Sequence, residues 1–167
     1  MRIQTQSKSI MTNIAIFVDV QNVYYTTRQH FHRNFDYNAF WRRVTENNNL
    51  VAAFAYATHR GDNKQAEFQN ILRAIGFEVK LKPFIQRADG SAKADWDVGI
   101  TIDVLEHVDK VDKIILVSGD GDFDLLAQTI IEKKGKQIDV YGVKALTAGT
   151  LIKAASKFEP IEAELLL

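Results

Sequence analysis

The sequence predicts an α/β fold with a mostly parallel sheet covered by helices, on three observations. Short apolar runs rich in β-branched residues alternate with longer amphipathic runs, as strands joined through helices do. The run KIILV at 113–117 is the most apolar of these runs, with four apolar residues after Lys113, which is typical of a central strand buried on both faces. The 167 residues are about the size of one domain and contain no internal repeat or linker. We therefore predict a disordered polar leader over 1–12 and a single domain over 13–167.

The first part of the chain opens with the apolar run IAIFVD, a predicted strand that ends at Asp19. The amphipathic segments 22–31 and 37–47 follow as helices, the second with Asp36 as its N-cap. The segment LVAAFAYAT at 50–58 is apolar enough for a second buried strand.

The middle of the chain contains a helix, an edge strand, a loop and a second helix. Residues 63–75 form a helical pattern that Gly76 ends in the C′ position. Residues 77–83 alternate apolar and polar side chains, which predicts a half-exposed strand near the edge of the sheet. Residues 84–94 contain Asp-Gly-Ser and read as a turn-rich loop or hairpin. A helix then begins near Asp95 to Asp97 and ends at His107.

The last third repeats the alternation of strand and helix. The central strand at 113–117 is followed by a helix from Asp122 to Lys134, a strand over 137–143 and a helix over 147–157. The apolar tail IEAELLL can pack on its own sheet or on a second copy of the chain, which leaves a homodimer open.

Composition excludes several classes of function. Lys plus Arg and Asp plus Glu both number 21, so the formal net charge is zero. A protein that coats nucleic acid non-specifically has a positive excess, so any nucleic-acid contact here must be local. The absence of cysteine excludes disulfides, thiolate nucleophiles and Cys-based zinc sites. Because no signal peptide or membrane-spanning run is visible, we expect a cytoplasmic protein without a membrane partner.

Aspartates follow the predicted strands at one edge of the sheet. In an open α/β sheet, ligands bind outside the carboxyl ends of the strands. Three segments place carboxylates there: Asp19 in FVDVQN, Asp95 and Asp97 in KADWDV, and Asp120, Asp122 and Asp124 in LVSGDGDFD. Carboxylates ~4 Å apart repel by roughly 4 kcal/mol per pair at an effective dielectric of 20, so convergence requires cations or protons. A hard divalent ion is the natural counterion.

A purely structural alternative exists for these residues. Aspartate is a favoured N-cap, and Asp97 and Asp122 are equally well explained as caps of the helices they begin. Asp19 is different, because it ends an apolar strand and should be partly buried. Ser118 is a candidate to orient a ligand or bind a phosphate oxygen. Asn22 is a candidate either to donate a hydrogen bond to a carboxylate or phosphate, or to cap its helix.

Three motifs in order resemble the NYN domain of the PIN-like nuclease superfamily, with its LabA-like group as the nearest match. They are FVDVQNVYY, KADWDVGITIDVL and LVSGDGDFDLLAQ, and the resemblance spans about residues 13–145. It implies a three-layer, Rossmann-like PIN-type fold with helices on both faces of a sheet of order 3-2-1-4-5. It also implies a ribonuclease that uses Mg²⁺ or Mn²⁺ and leaves 5′-phosphate ends.

The resemblance assigns roles to individual residues. Asp19 matches the first acidic position with Asn22 as its partner, Asp97 and Asp103 match the two acidic positions of the long helix, and Ser118, Asp120 and Asp122 match the SGDxDF segment. Asp97 and Asp103 lie about 240° apart around a helix, so both cannot face one metal. We place Asp97 in the catalytic and metal-binding set with Asp19, Asp120 and Asp122, and treat Asp103 as supporting. Asp95 is the rival of Asp97, and Asp124 is expected to be a first-turn helix charge.

Substrate contacts are predicted from cations and aromatic residues near the same edge. Lys93 could neutralise a phosphate or be a solvated loop lysine, and His59, Arg60 and Lys64 follow the second strand. Tyr24 or Tyr25 could stack a base, and we expect one of the two to be core because adjacent helical residues point about 100° apart. The remaining cations are predicted to be ordinary surface or to lie opposite the site: Arg42, Arg43, Lys80, Lys82, Lys133, Lys134 and Lys136.

A competing hypothesis is a non-catalytic RNA-binding or regulatory module with the same fold, which the zero net charge keeps open. Other acidic or nucleotide-binding α/β folds fit less well. A haloacid-dehalogenase-type phosphatase needs an Asp two residues after Asp19, where this chain has Gln21. A dehydrogenase needs a GxGxxG motif after the first strand, and none is present.

Overall fold

The computed structural model describes residues 11–59, 61–83, 85–86, 92–93 and 95–167. Its centre is a six-stranded sheet in which every neighbouring pair of strands is parallel, in the order β3-β2-β1-β6-β7-β8. A separate antiparallel pair, β4 and β5, occupies the region predicted as a loop or hairpin. The strands are β1 Thr12–Asp19, β2 Asn48–His59, β3 Glu78–Pro83, β4 Ile85–Gln86, β5 Ala92–Lys93, β6 Lys113–Val117, β7 Gln137–Gly142 and β8 Lys157–Pro160.

Helices cover both faces of this sheet. They are α1 Val20–Phe31, α2 Tyr37–Thr45, α3 Asn63–Ile75, α4 Asp97–His107, α5 Asp124–Glu132 and α6 Gly149–Ala154. Buried side chains of α1, α2 and α3 pack with one face of the sheet, and those of α4, α5 and α6 pack with the other. Among the described residues, no helix has the length and apolarity needed to cross a bilayer.

Strand β1 shows how the sequence divides between the two faces. Ile14, Ile16 and Val18 pack with α1–α3, whereas Ala15 and Phe17 pack with α4–α6. Side chains alternate along a strand, so Asp19 continues the face of Ala15 and Phe17. The last residue of the strand therefore presents its carboxylate toward the α4 and α5 side.

The predicted strand order is confirmed for five strands, and a sixth strand extends it. β8 pairs with β7 from Asp139 opposite Lys157 to Gly142 opposite Pro160. We predicted a helix over 147–157 and assigned no strand to the tail, which is wrong here because α6 ends at Ala154 and β8 begins at Lys157. The sequence KFEP has no strand periodicity of its own, and an edge strand can end on Pro160 because the proline needs no partner for a missing N–H.

The apolar tail packs within its own chain. Ile161, Leu165 and Leu166 are buried with the α1–α3 face, and Leu166 forms an antiparallel bridge with Phe35. The possibility of a homodimer rested on this tail packing on a second copy of the chain, so the structure gives it no support.

Smaller differences concern element boundaries. Asp36 caps α2 as predicted, since its side chain accepts a hydrogen bond from the Ala39 N–H at 3.0 Å. The helix predicted from Asp122 starts instead with a 3₁₀ turn over Gly121–Phe123. β1 begins at Thr12, inside the predicted leader, and residues 1–10 lie outside the described residues.

Candidate metal centre

Three acidic side chains from two segments meet at the carboxyl end of the sheet. Asp97 is the first residue of α4, and Asp120 and Asp122 follow β6. One carboxylate oxygen from each can be chosen so that all three lie within 4.8 Å of one another. Two oxygens on opposite sides of an octahedral Mg²⁺ are about 4.2 Å apart. Small side-chain shifts, or one water between a carboxylate and the ion, would therefore let all three side chains bind the same ion.

Asp19 joins this group through Ser118. β1 and β6 are neighbours with Val18 opposite Val117, so the residues that follow them, Asp19 and Ser118, are adjacent. The Ser118 hydroxyl donates to Asp19 Oδ2 at 3.1 Å and accepts from the Asp120 N–H at 3.2 Å. The Asp19 carboxylate is therefore only two hydrogen bonds from the Asp120 backbone. Ser118 orients Asp19, and both side chains are buried.

The loop after β6 is shaped by a cap and two close approaches. Asp120 Oδ1 accepts from the Asp122 N–H at 2.9 Å, so Asp120 caps the 3₁₀ turn that Asp122 enters. A Cβ at Gly119 would lie 3.0 Å from the Leu146 carbonyl oxygen, and a Cβ at Gly121 would lie 2.9 Å from the Ala148 side chain. Glycine at these positions lets the loop pack directly on residues 146–148.

Asn22 fixes the position of this loop relative to β1. Its Oδ1 accepts from the Gly119 N–H at 2.9 Å. We predicted Asn22 either as a helix cap or as a donor to a carboxylate or phosphate. In the structure its side-chain oxygen instead accepts a backbone hydrogen bond from the loop that contains Asp120. Asn22 therefore connects the start of α1 to the loop that contains Asp120.

Burial raises the pKa values of two of the aspartates. Asp19 is 7% exposed, and desolvation raises its pKa to about 6 against the opposing effect of the Ser118 hydrogen bond and the Asn22 backbone. Burial also raises the pKa of Asp97 to about 8, and the hydrogen bond and negative charge of Asp120 add to the effect. The charges of Asp19 and Asp95 raise it further. Without a cation, this cluster favours protons over four full negative charges.

This electrostatic arrangement gives a prediction for stability against pH. The pKa of Asp19 is raised from 3.8 to about 6, so the folded protein binds more protons than the unfolded chain between these values and loses stability as pH rises through them. In EDTA, we expect the ionisation of Asp19 to cost wild type about 2 kcal/mol in free energy of unfolding as the pH rises from 4.5 to 7.5. Asp19→Asn lacks this ionisation, so the difference in stability between variant and wild type should shift by about 2 kcal/mol in favour of the variant over the same pH range. Urea melts at several pH values measure this difference. A difference that stays constant with pH would contradict a raised Asp19 pKa.

Asp95, Asp103 and Asp124 lie outside the group of three. Asp95 is exposed beside the start of α4, and its Oδ1 lies 3.4 Å from the Asp97 N–H. Asp124 is the first residue of α5, as expected of a first-turn charge. Asp103 is 14% exposed in its side chain and accepts hydrogen bonds from the Lys80 ammonium at 2.6 Å and the Tyr56 hydroxyl at 2.8 Å.

The interpretation of Lys80 and Lys82 as ordinary surface lysines is wrong. Lys80 forms the ion pair with Asp103 and lies 4.8 Å from the centre of the Phe54 ring. Lys82 donates to the Asp95 carbonyl at 3.1 Å and lies 4.7 Å from the centre of the Trp96 ring. The alternation of β3 put both lysines on one face, and that face proves to be the one against which α4 packs.

Trp96 is a residue whose role the sequence reasoning missed. Its Nε1 donates to the Ala57 carbonyl at 2.9 Å, and its ring meets the Tyr56 ring edge to face at 5.3 Å. The N-terminus of α4 is thereby held against the end of β2, directly before Asp97. The signal was a large aromatic residue between two aspartates at a helix start, where a solvated loop residue would be polar.

The predicted substrate contacts are only partly within the described structure. Arg60 and the side chain of Lys93 lie outside the described residues. Tyr24 and Tyr25 are both half exposed, at 53% and 51%, so the expectation that one would be core is wrong. The core positions of α1 are Val20, Val23 and Thr27, which leaves positions 24 and 25 on the flank of the helix.

Three comparisons with known proteins show what the chain as a whole is similar to. The NYN domain family matches residues 13–162. The low amplitude and bright protein LabA from Synechococcus elongatus is 28% identical over 156 residues, which cover 88% of this chain and 82% of that protein. A crystal structure of a protein of unknown function from Vibrio parahaemolyticus is 55% identical, with a TM-score of 0.90 over 94% of this chain and 97% of that one.

Proposed function

The chain belongs to the NYN domain family, and from this premise we propose that it is a metal-dependent ribonuclease that hydrolyses RNA phosphodiester bonds. The observation that supports the proposal is the convergence of Asp97, Asp120 and Asp122 within 4.8 Å, beside a buried Asp19. The ligand set consists of carboxylate oxygens, which suit Mg²⁺ or Mn²⁺. The cytoplasm is the compartment we propose for it.

The side chains divide the work in this proposal. Asp97, Asp120 and Asp122 would bind the ion, and Asp19 would join them directly or through water. Ser118 and Asn22 hold Asp19 and the Asp120 loop in place. A bound divalent ion lowers the pKa of water and stabilises negative charge on a phosphate during hydrolysis. Ion binding also requires Asp19 and Asp97 to release their protons, so metal affinity should increase with pH.

A metal-dependence assay tests the proposal. We expect purified protein to cut a mixture of labelled RNAs with Mn²⁺ or Mg²⁺ and to leave the RNAs intact in EDTA. Single-stranded DNA of the same sequence reports whether the ribose is required. Asp109→Asn is the matched control, since Asp109 is exposed in the turn after the far end of α4. Intact RNA under all metal conditions would overturn the proposal.

One observation favours a non-catalytic RNA-binding module as the second candidate. Lys82 binds the Asp95 carbonyl beside the start of α4, and Lys80 binds Asp103 further along the same helix. Neither is free to neutralise a substrate phosphate at the acidic centre. A module of this kind would bind RNA without cutting it, which the same assay distinguishes when binding is measured in parallel.

A further inference from the structure

A groove opens on the α1–α3 face at the same end of the sheet as the acidic centre. Its volume is about 710 Å³, within the range of sites that hold a nucleotide-sized ligand. Most of its wall is apolar or aromatic, with side chains from α1, from α3 and from the segment before α2. The residues that form this wall include Val23, Tyr24, Tyr25, Phe35, Tyr37 and Phe68.

The charge of the groove is opposite to that of the acidic centre. Arg28 of α1 and Lys64 of α3 line it, and its described lining contains no Asp or Glu side chain. Within the described part of the chain neither cation has a carboxylate partner, and Arg28 makes only a 3.5 Å contact with the His32 carbonyl. In a chain of zero net charge, this groove is a local place where a phosphate would be attracted.

The two tyrosines give the groove a surface for flat ligands. The centres of the Tyr24 and Tyr25 rings are 5.5 Å apart, edge to face, and both rings are half exposed. Two adjacent exposed aromatic rings are not explained by packing in the core. Such rings are the surface on which unpaired bases stack, whatever the base.

The groove and the acidic centre are joined at the edge of the sheet. Val20 and Gln21 line the groove and directly follow Asp19. The Cα of Gln21 is two peptide units from that of Asp19, at most about 7.6 Å. Ala57 also lines the groove, and its carbonyl accepts the hydrogen bond from Trp96, the residue before Asp97. The groove therefore borders both the segment that follows Asp19 and the strand end that holds Trp96.

We propose that the groove binds an unpaired stretch of RNA, with a base stacked on Tyr24 or Tyr25 and phosphates at Arg28 and Lys64. The inference builds on the proposed ribonuclease and places the binding of its RNA strand in this groove. Bases in a duplex are already stacked on each other and cannot enter a groove walled by two helices. The strand would continue from the groove past Gln21 to the acidic centre.

Equilibrium binding in EDTA tests this without cleavage. The probe is a labelled 12-nucleotide single-stranded RNA, compared with the same RNA annealed to its complement. We expect the double variant Tyr24→Ala/Tyr25→Ala to weaken single-strand binding roughly 5- to 150-fold. Arg28→Gln/Lys64→Gln should weaken it as well and reduce the slope of log affinity against log salt by roughly 1.4, for two phosphate contacts.

The control is Lys133→Gln/Lys134→Gln, which removes the same charge from exposed positions just after α5, at the opposite edge of the sheet. It should leave single-strand affinity within about twofold. All the substituted side chains are exposed, and thermal melts verify that each variant is folded. Equal losses in the control and groove variants, equal affinity for the duplex, or no RNA binding by wild type would overturn the groove proposal.

Binding and cleavage separate this proposal from the proposed function. RNA cleavage with unchanged affinity in the groove variants would reject the groove and keep the ribonuclease. Single-strand binding through the groove without cleavage in any metal would keep the groove and reject the ribonuclease.

Discussion

Asp120→Asn should strongly reduce RNA cleavage and abolish the stabilisation of the protein by divalent metal. Asp120 belongs to the group of three carboxylates and also lies close to Asp97. The amide cannot supply the charge that binds a hard cation, so we expect cleavage to fall on the order of 100-fold or more. Wild type at a metal concentration 100 times its Kd should gain about 2.7 kcal/mol, a rise in Tm of roughly 5–10 °C, and the variant should gain none.

Asparagine is the informative substitution at this position because it preserves the loop. Its Oδ1 can still accept the hydrogen bond from the Asp122 N–H that caps the 3₁₀ turn. The substitution also removes one of the charges that raise the pKa values of Asp19 and Asp97, so the variant in EDTA at pH 8 should be at least as stable as wild type.

Thermal melts with and without Mn²⁺ and a cleavage assay on the same preparations measure both effects. Asp109→Asn changes the net charge equally, in the 3₁₀ turn after α4 and about 18 Å from Asp97 along the helix axis, and should retain the metal response. A variant at position 120 that still responds to Mn²⁺ like wild type would contradict the assignment of this cluster as the metal centre.

The parts of the fold that could be predicted are those that depend on the pattern of apolar and polar residues within one short segment. Strand β1 is apolar from Ile14 to Val18 before a single aspartate, and β6 is apolar over the four residues before Ser118. Parallel strands bring their carboxyl ends to one edge, so the neighbourhood of Asp19 and Asp120 follows from these two runs alone. Asp97 was predicted at the same end of the sheet because it begins the helix that follows the hairpin.

What could not be predicted depends on pairs distant in the sequence. Asp103 meets Lys80 across 23 residues and Tyr56 across 47, and neither partner has a local signal. A cap role was left open for Asp122, but Asp120 caps the 3₁₀ turn by accepting a hydrogen bond from the Asp122 N–H. β8 is recognisable only once β7 offers it an edge.

The second large effect is expected at Asp103, which the family resemblance placed near the acidic site. Its carboxylate binds the Lys80 ammonium and the Tyr56 hydroxyl between α4 and the sheet. Asp103→Ala would leave a partly buried cation and a hydroxyl without their partner. Removing one member of such a pair costs about 3–5 kcal/mol when the pair is fully buried. Because the Lys80 side chain is about a third exposed, we expect a loss of about 2–3 kcal/mol in the free energy of unfolding.

The metal response separates a structural role of Asp103 from a ligand role. Asp103 lies six residues beyond Asp97 on α4 and points to β2 and β3, so the variant should keep the Tm rise with Mn²⁺ that Asp120→Asn loses. Lys80→Met is the matched partner variant, and the double variant Lys80→Met/Asp103→Ala should be less destabilised than the sum of the single variants, because the pair acts as one unit. If Asp103→Ala instead removed the Mn²⁺ response and kept wild-type stability, Asp103 would be a metal ligand. The assignment of Asp97 as the metal ligand that α4 contributes would then be wrong.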